Sequence, residues 1–230
     1  MREACAARGP AAAIGGAEVG EGPGGDHASG GGAAGGIGAA GGAAGGDGAG
    51  GRRWIVDPID GTKSFIHGVP LYGVLLALEE AGEPVVGVLH FPALGEVVAA
   101  AVGVGCWWNG RRVHVSDVDR LDRALVLATG DTPPGTEARV AKLRRLEAAA
   151  GVARTWGDAY GYALVATGRA EVMVDPIVRV WDVAAVRPVI EEAGGVFTDW
   201  DGRPDHTTGH AVATNAALAD VVREILGAGT

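Results

Sequence analysis

Thirty-five of the first 51 residues are glycine or alanine, and this tract limits how much of the chain can build a core. Only Met1, Ile14, Val19 and Ile37 within it are large and apolar. A glycine-rich backbone loses the most conformational entropy on ordering, and so few apolar side chains cannot offset that loss. The expected organisation is therefore a low-complexity, disordered tail over residues 1–51 and a folding domain over residues 52–230. GGAAGG occurs twice in the tail, at 31–36 and 41–46, without building a repeat unit. The remaining 179 of the 230 residues are ample for one core.

Charge and cysteine content exclude several classes of function. A formal net charge of −9 lacks the basic footprint that nucleic acid or an anionic membrane surface requires. It leaves room for a small phosphorylated substrate held through a metal ion. Cys5 lies in the Gly/Ala tract and Cys106 in a strand-like run, so neither a disulfide framework nor a cysteine zinc site is expected. The longest nearly apolar run, Val97–Trp108, is too short to span a bilayer. The N-terminus lacks the Leu/Val/Ile core of a signal peptide. A reduced, cytoplasmic setting follows, with no nucleic-acid or membrane partner.

Strand and helix patterns alternate beyond Arg52. Trp54-Ile55-Val56 reads as a short strand running into Asp57-Pro58. Val69–Leu78 and Val85–Phe91 read as buried strands either side of a polar turn. Glu96–Trp108 and Arg112–Ser116 flank Asn109-Gly110, a strong hairpin signal because both residues tolerate positive φ. Thr136–Ala150 and Asp158–Thr167 read as helices, Ala170–Val174 as a strand, and Val183–Ala193 as a helix stopped by Gly194-Gly195. Val196–Asp199 and Ala211–Thr214 read as strands, and Ala216–Leu226 as a closing helix. This order predicts a layered α/β or α+β sandwich.

The chemistry concentrates in Trp54–Phe65, WIVDPIDGTKSF. Pro58 has a fixed φ and no N–H, so the chain is expected to turn there and aim Asp57 and Asp60 at one point. Two converging carboxylates suit Mg²⁺, which takes carboxylate, water and phosphate oxygens. Gly61-Thr62 opens a short helix whose first N–H groups can face a phosphate. Taken bare, D-x-x-D-G also describes an ordinary turn. A second segment, Val180–Gly195, places Asp182 at a predicted helix start. There it is either a plain cap or a third carboxylate for the same ion.

Together, DPIDGT at 57–62 and WDVAA…EEAGG at 181–195 resemble the two signatures of the inositol monophosphatase superfamily, in order and a domain apart. FIHGVPLYGVLLAL at 65–78 and RTWGDAYGYALVATGRAEVMVDP at 154–176 resemble its histidinol-phosphatase branch. The resemblance implies an αβαβα fold and a Mg²⁺-dependent phosphomonoesterase, acting on histidinol phosphate in histidine biosynthesis or on inositol 1-phosphate, and a possible homodimer. It implies that Asp57, the Ile59 carbonyl, Asp60 and Asp182 are metal ligands. Thr62 would help activate the attacking water, and Gly61 and Thr62 would hold phosphate. Gly157, Asp158 and Ala159 would line the alcohol side of the site, and Asp175 would be an acidic substrate contact. Asp158 stands where inositol enzymes commonly have Ser or Thr, and an added carboxylate suits an amine.

One departure accompanies the resemblance. The superfamily has a Gly-Glu-Glu motif before the Asp-Pro turn, whose first Glu is a metal ligand, yet no Glu stands between Glu21 and Glu79. A catalytically impaired domain is the corresponding alternative. His67, His90, His114, His206 and His210 show no metal-ligand spacing and read as surface or packing residues. Asp199, Asp201 and Asp205 read as a turn, because the glycine and glutamate that a calcium loop needs are misplaced.

Overall fold

Runs of Val, Leu and Ala in the first half of the domain pair in sequence order. In the computed structural model, which describes residues 13–14, 51–130 and 136–227, they form a seven-stranded sheet. Its strands are β1 (Ala13–Ile14), β2 (Arg52–Asp60), β3 (Gly73–Glu80), β4 (Glu83–Phe91), β5 (Glu96–Ala101), β6 (Gly105–Trp108) and β7 (Arg111–Val113). Strands β2 to β7 are antiparallel neighbours, and β1 pairs parallel to β2 at Arg53 and Trp54. The expectation of disorder for the rest of the tail lies outside the described residues. Helix α1 (Thr62–Ile66) follows β2 directly.

A second, five-stranded sheet has the order β11-β12-β10-β8-β9. Its strands are β8 (Leu125–Ala128), β9 (Val152–Arg154), β10 (Val172–Asp175), β11 (Val196–Thr198) and β12 (Ala211–Thr214). The helices are α2 (Glu137–Ala149), α3 (Asp158–Ala166), α4 (Val180–Val183), α5 (Val186–Glu192) and α6 (Ala219–Leu226). Helices α3, α4 and α5 lie between the sheets. Ile55, Leu75, Leu89 and Phe91 of the first sheet share a buried cluster with Tyr162, Val186 and Ile190, and with Met173 and Phe197 of the second. Helices α2 and α6 cover the far face of the second sheet through Leu143, Leu146, Val222 and Leu226. On the outer face of the first sheet, Leu78, Val86 and Ala101 are buried against Trp54, Val85 and Val88. The described residues thus stack as sheet, helices, sheet, helices, the layered α/β class that the element order implies.

Several boundaries differ from expectation. The Asp-Pro segment does not end a strand, because β2 continues through Pro58 to Asp60. The stretch Glu96–Trp108 is two strands, since Gly103 at φ +77° turns the chain. Strand β3 begins at Gly73, and the expected helix Val183–Ala193 is the pair α4 and α5. Strands β8 and β9 are additions: both are short, and neither carries an alternation long enough to mark it. Asn109 and Gly110 adopt φ of 47° and 81°, as their hairpin signal requires. Among the described residues, no helix is long and apolar enough to cross a membrane.

Candidate active site

A bulge in β2 brings the first two carboxylates together. On a regular strand, residues three apart point to opposite faces. Here Asp57 pairs with Leu75 and Asp60 with Gly73, so three steps on β2 match two on β3. The extra residue falls at Pro58-Ile59, where proline has no N–H to give the ladder. Both acids therefore face the side of the sheet that carries the helices. Asp182 comes from a different element, the first turn of α4, capped at Arg179. The three carboxylates each offer an oxygen within 4.8 Å of the others.

Each of these acids has one oxygen anchored by a backbone N–H. Ile59 N donates to Asp57 Oδ1 at 3.0 Å, Ala159 N to Asp60 Oδ2 at 2.7 Å, and Arg179 N to Asp182 Oδ2 at 2.6 Å. Anchoring fixes the carboxyl planes and leaves each acid lone pairs for a shared ion. Burial raises the Asp57 pKa and raises that of Asp60 well above its usual range, with Asp158 adding to the effect on Asp60. Burial, with the neighbouring Asp57 carboxylate, pushes Asp182 up to about 7. Two buried carboxylates and a half-buried one this close repel one another unless a proton or a cation sits among them. All donors are hard oxygens, the set that Mg²⁺ prefers, so the residues present fit such an ion.

Around this cluster lies a cleft of about 180 Å³ that Asp60, Thr129, Asp158, Tyr162, Asp175 and Asp182 help to line. Gly61 adopts φ +73°, and a β-carbon there would come within 2.7 Å of the Leu71 carbonyl oxygen, so only glycine fits. The Thr62 hydroxyl donates to the Ile59 carbonyl at 2.9 Å. Gly157 is equally constrained, with a hypothetical β-carbon 2.5 Å from Thr129 Cα. Asp158 follows it at φ +53°, an uncommon conformation for a residue with a side chain. Asp175, at the end of β10, accepts from Thr129 N at 3.2 Å and from the Tyr162 hydroxyl at 2.8 Å. Burial pushes its pKa up to about 6 against those hydrogen bonds.

The structure thus gathers Asp57, Ile59, Asp60, Gly61, Thr62, Gly157, Asp158, Asp175 and Asp182 at one end of the two sheets. Thr129 and Tyr162 join them without having been singled out by sequence. Tyr162 carried a readable signal, since it follows Asp158 by four residues on one helix face. Thr129 carried none, because it follows a strand too short to recognise. Elsewhere, His206 is buried and bonds Glu79 at 2.8 Å, while His210 accepts from Trp200 N at 3.0 Å, both in packing roles. Asp199 accepts the N–H groups of Asp201 and Arg203 in a tight turn, as expected.

Comparison with known proteins agrees with this geometry. The inositol monophosphatase family model matches residues 27–227. The chain is 47% identical over 184 residues to a histidinol-phosphatase of Chlorobaculum parvum, covering 78% of this chain and 70% of that protein. It is 43% identical over 187 residues to the histidinol-phosphatase of Mycobacterium tuberculosis, covering 78% and 71%. Among solved structures, an inositol monophosphatase from Anabaena superposes with a TM-score of 0.70 at 32% identity, covering 77% of this chain and 72% of that one. The matched stretch carries all three converging carboxylates and the strand and helix that present them, so the chain belongs to the inositol monophosphatase family and is a phosphatase.

Proposed function

We propose that this phosphatase is Mg²⁺-dependent and hydrolyses histidinol phosphate to histidinol, a step of histidine biosynthesis. The observation that carries the metal assignment is that Asp57, Asp60 and Asp182, each anchored through one oxygen, bring carboxylate oxygens within 4.8 Å of one another. These three residues and the Ile59 carbonyl are the proposed Mg²⁺ ligands. Bound there, Mg²⁺ supplies Lewis acidity toward phosphate oxygens, the attacking water and the leaving alkoxide. Gly61 and Thr62 present N–H groups to the phosphate, and Thr62 orients the water with its hydroxyl. Gly157 keeps the cleft wall close to Thr129. Asp158 and Asp175 form the alcohol side, where two carboxylates select a cationic amine. The names of the relatives in Chlorobaculum parvum and Mycobacterium tuberculosis support the same substrate.

Residues 52–230 are the proposed phosphatase domain, in a cytoplasmic protein that pairs as a homodimer. The test of function is phosphate release from histidinol phosphate and from inositol 1-phosphate, with and without Mg²⁺. The expected result is Mg²⁺-dependent release with higher kcat/KM on histidinol phosphate. Equal or better turnover of inositol 1-phosphate would overturn the substrate assignment. A second reading, a domain that holds metal or phosphate without turnover, is favoured by one observation. The glutamate ligand implied by the family resemblance has no counterpart between Glu21 and Glu79. No release from either ester, with Mg²⁺ binding retained, would select that reading.

A further inference from the structure

Asp175 is held more tightly than a solvent-facing acid needs to be. The Tyr162 hydroxyl donates to one carboxylate oxygen at 2.8 Å, and Thr129 N donates to the other at 3.2 Å. The Thr129 hydroxyl accepts the Asp158 N–H at 3.0 Å, so this one residue holds both acids, Asp175 through its N–H and Asp158 through its hydroxyl. Trp200 Nε1 pins the Asp175 backbone carbonyl at 2.8 Å. A carboxylate has about four acceptor positions, so donors at both oxygens fix its plane while leaving lone pairs for the cleft it lines.

Tyr162 itself cannot drift. It is fully buried, and helix α3 is seated so closely on β10 that a β-carbon at Gly161 would lie 2.5 Å from Met173 Sδ. A buried tyrosine hydroxyl needs a partner, and here the partner is an acid facing the cleft rather than a backbone carbonyl. Thr129 ties this acid, held by its N–H, to the strained backbone of Asp158, held by its hydroxyl. The two carboxylates on the alcohol side are thereby set by one shared frame.

We propose that Tyr162 and Thr129 are positioning residues that orient Asp175, and through Thr129 also Asp158, as the pair of carboxylates that recognises the substrate's ammonium group. This inference rests on the histidinol phosphate reading above. Neither residue touches the reacting phosphorus; each acts through an acid. Their loss should therefore weaken recognition of the amine and leave the hydrolysis of amine-free esters alone. Charge-paired recognition is the kind that collapses when its geometry loosens, because the buried charges are then left mispaired.

The experiment compares histidinol phosphate with its amine-free analogue, imidazolylpropyl phosphate, in the full chain with Mg²⁺. KM and kcat are measured, and calorimetric Kd values are taken for the same two esters. In Tyr162→Phe, which frees Asp175, and Thr129→Val, which frees the Asp158 N–H, KM and Kd for histidinol phosphate should rise about tenfold, the effect of one lost hydrogen bond, with kcat nearly unchanged. Both constants for the amine-free ester should stay at wild-type values. Thr129→Ser keeps the hydroxyl and should restore wild-type behaviour. An equal loss on both esters would show a merely structural role and overturn the proposal, as would a retained amine preference in both variants. Should Tyr162→Phe fail to fold, the Thr129→Val and Thr129→Ser pair decides the question. Wild-type protein that does not distinguish the two esters would refute the underlying substrate reading, an outcome read without any variant.

Discussion

Replacing Gly87 with alanine tests whether the seating of α4 and α5 on the first sheet holds Asp182 in place. Gly87 lies in β4 opposite Ala77 and Ala100. A β-carbon there would sit 2.0 Å from the Ala185 carbonyl oxygen, 2.9 Å from the Ala185 carbonyl carbon and 3.0 Å from Pro188 Cγ. The obstacle is backbone, so the helical segment must retreat by roughly 1 Å or more to reach ordinary contact distance. Overpacking of this kind costs about 1–3 kcal/mol. In an open strand the same change would stabilise by about 0.5–1 kcal/mol, because glycine is the costliest residue to order. The net loss of about 1–2 kcal/mol lowers Tm by about 2–8 °C for a domain of this size. Asp182 lies three residues before Ala185, so the same retreat pulls it from Asp57 and Asp60. A displacement near 1 Å at an active site can cost about a hundredfold in rate. Thermal melts with and without Mg²⁺ read both effects. The variant should melt lower and gain less from Mg²⁺, since weaker binding stabilises less by mass action. A variant that melts at or above wild type with an undiminished Mg²⁺ response would refute the reasoning.

Further predictions concern single side chains. Asp57→Asn should reduce Mg²⁺-dependent phosphate release by about a hundredfold or more, since changing a residue that merely supports a metal ligand already costs about 10–100-fold; circular dichroism should show the fold intact. Burial acts to raise the Glu79 pKa, but hydrogen bonds from His206 and Arg53 outweigh it and hold the carboxyl below its usual 4.5. The stability from this group is therefore fully present above its unfolded pKa and is lost as pH falls through the lower folded value. Glu79→Gln should flatten that acid limb in melts across acidic pH and cost about 1–3 kcal/mol at neutral pH. The buried Cys106 thiol, its pKa pushed up to about 12 first by burial, should resist iodoacetamide in native Cys5→Ser protein at mildly alkaline pH and react after denaturation.

Much of the candidate site was legible because its signals are local. A proline removes a donor wherever it stands, a glycine reaches positive φ by itself, and carboxylates in the D-P-x-D-G-T string announce hard oxygen ligands. The Asn109-Gly110 hairpin was readable for the same reason. Asp182 taken alone read as either a cap or a third carboxylate, because nothing within its own segment shows which way it points.

The amino-acid sequence by itself determined the layered α/β class, the position of the acidic string and the membership of Asp182 in a second motif. Each of these depends on residues within a few positions of one another. Only the tertiary structure decided that a bulge, not a strand end, puts Asp57 and Asp60 on one face, since that depends on how β2 registers against β3. Only it decided that Thr129 and Tyr162 frame Asp175, which lies 46 residues from one and 13 from the other. Those contacts form when β8 and β10 pair side by side in the second sheet and helix α3 packs on it, and side-chain direction across such separations is set by packing rather than by local preference.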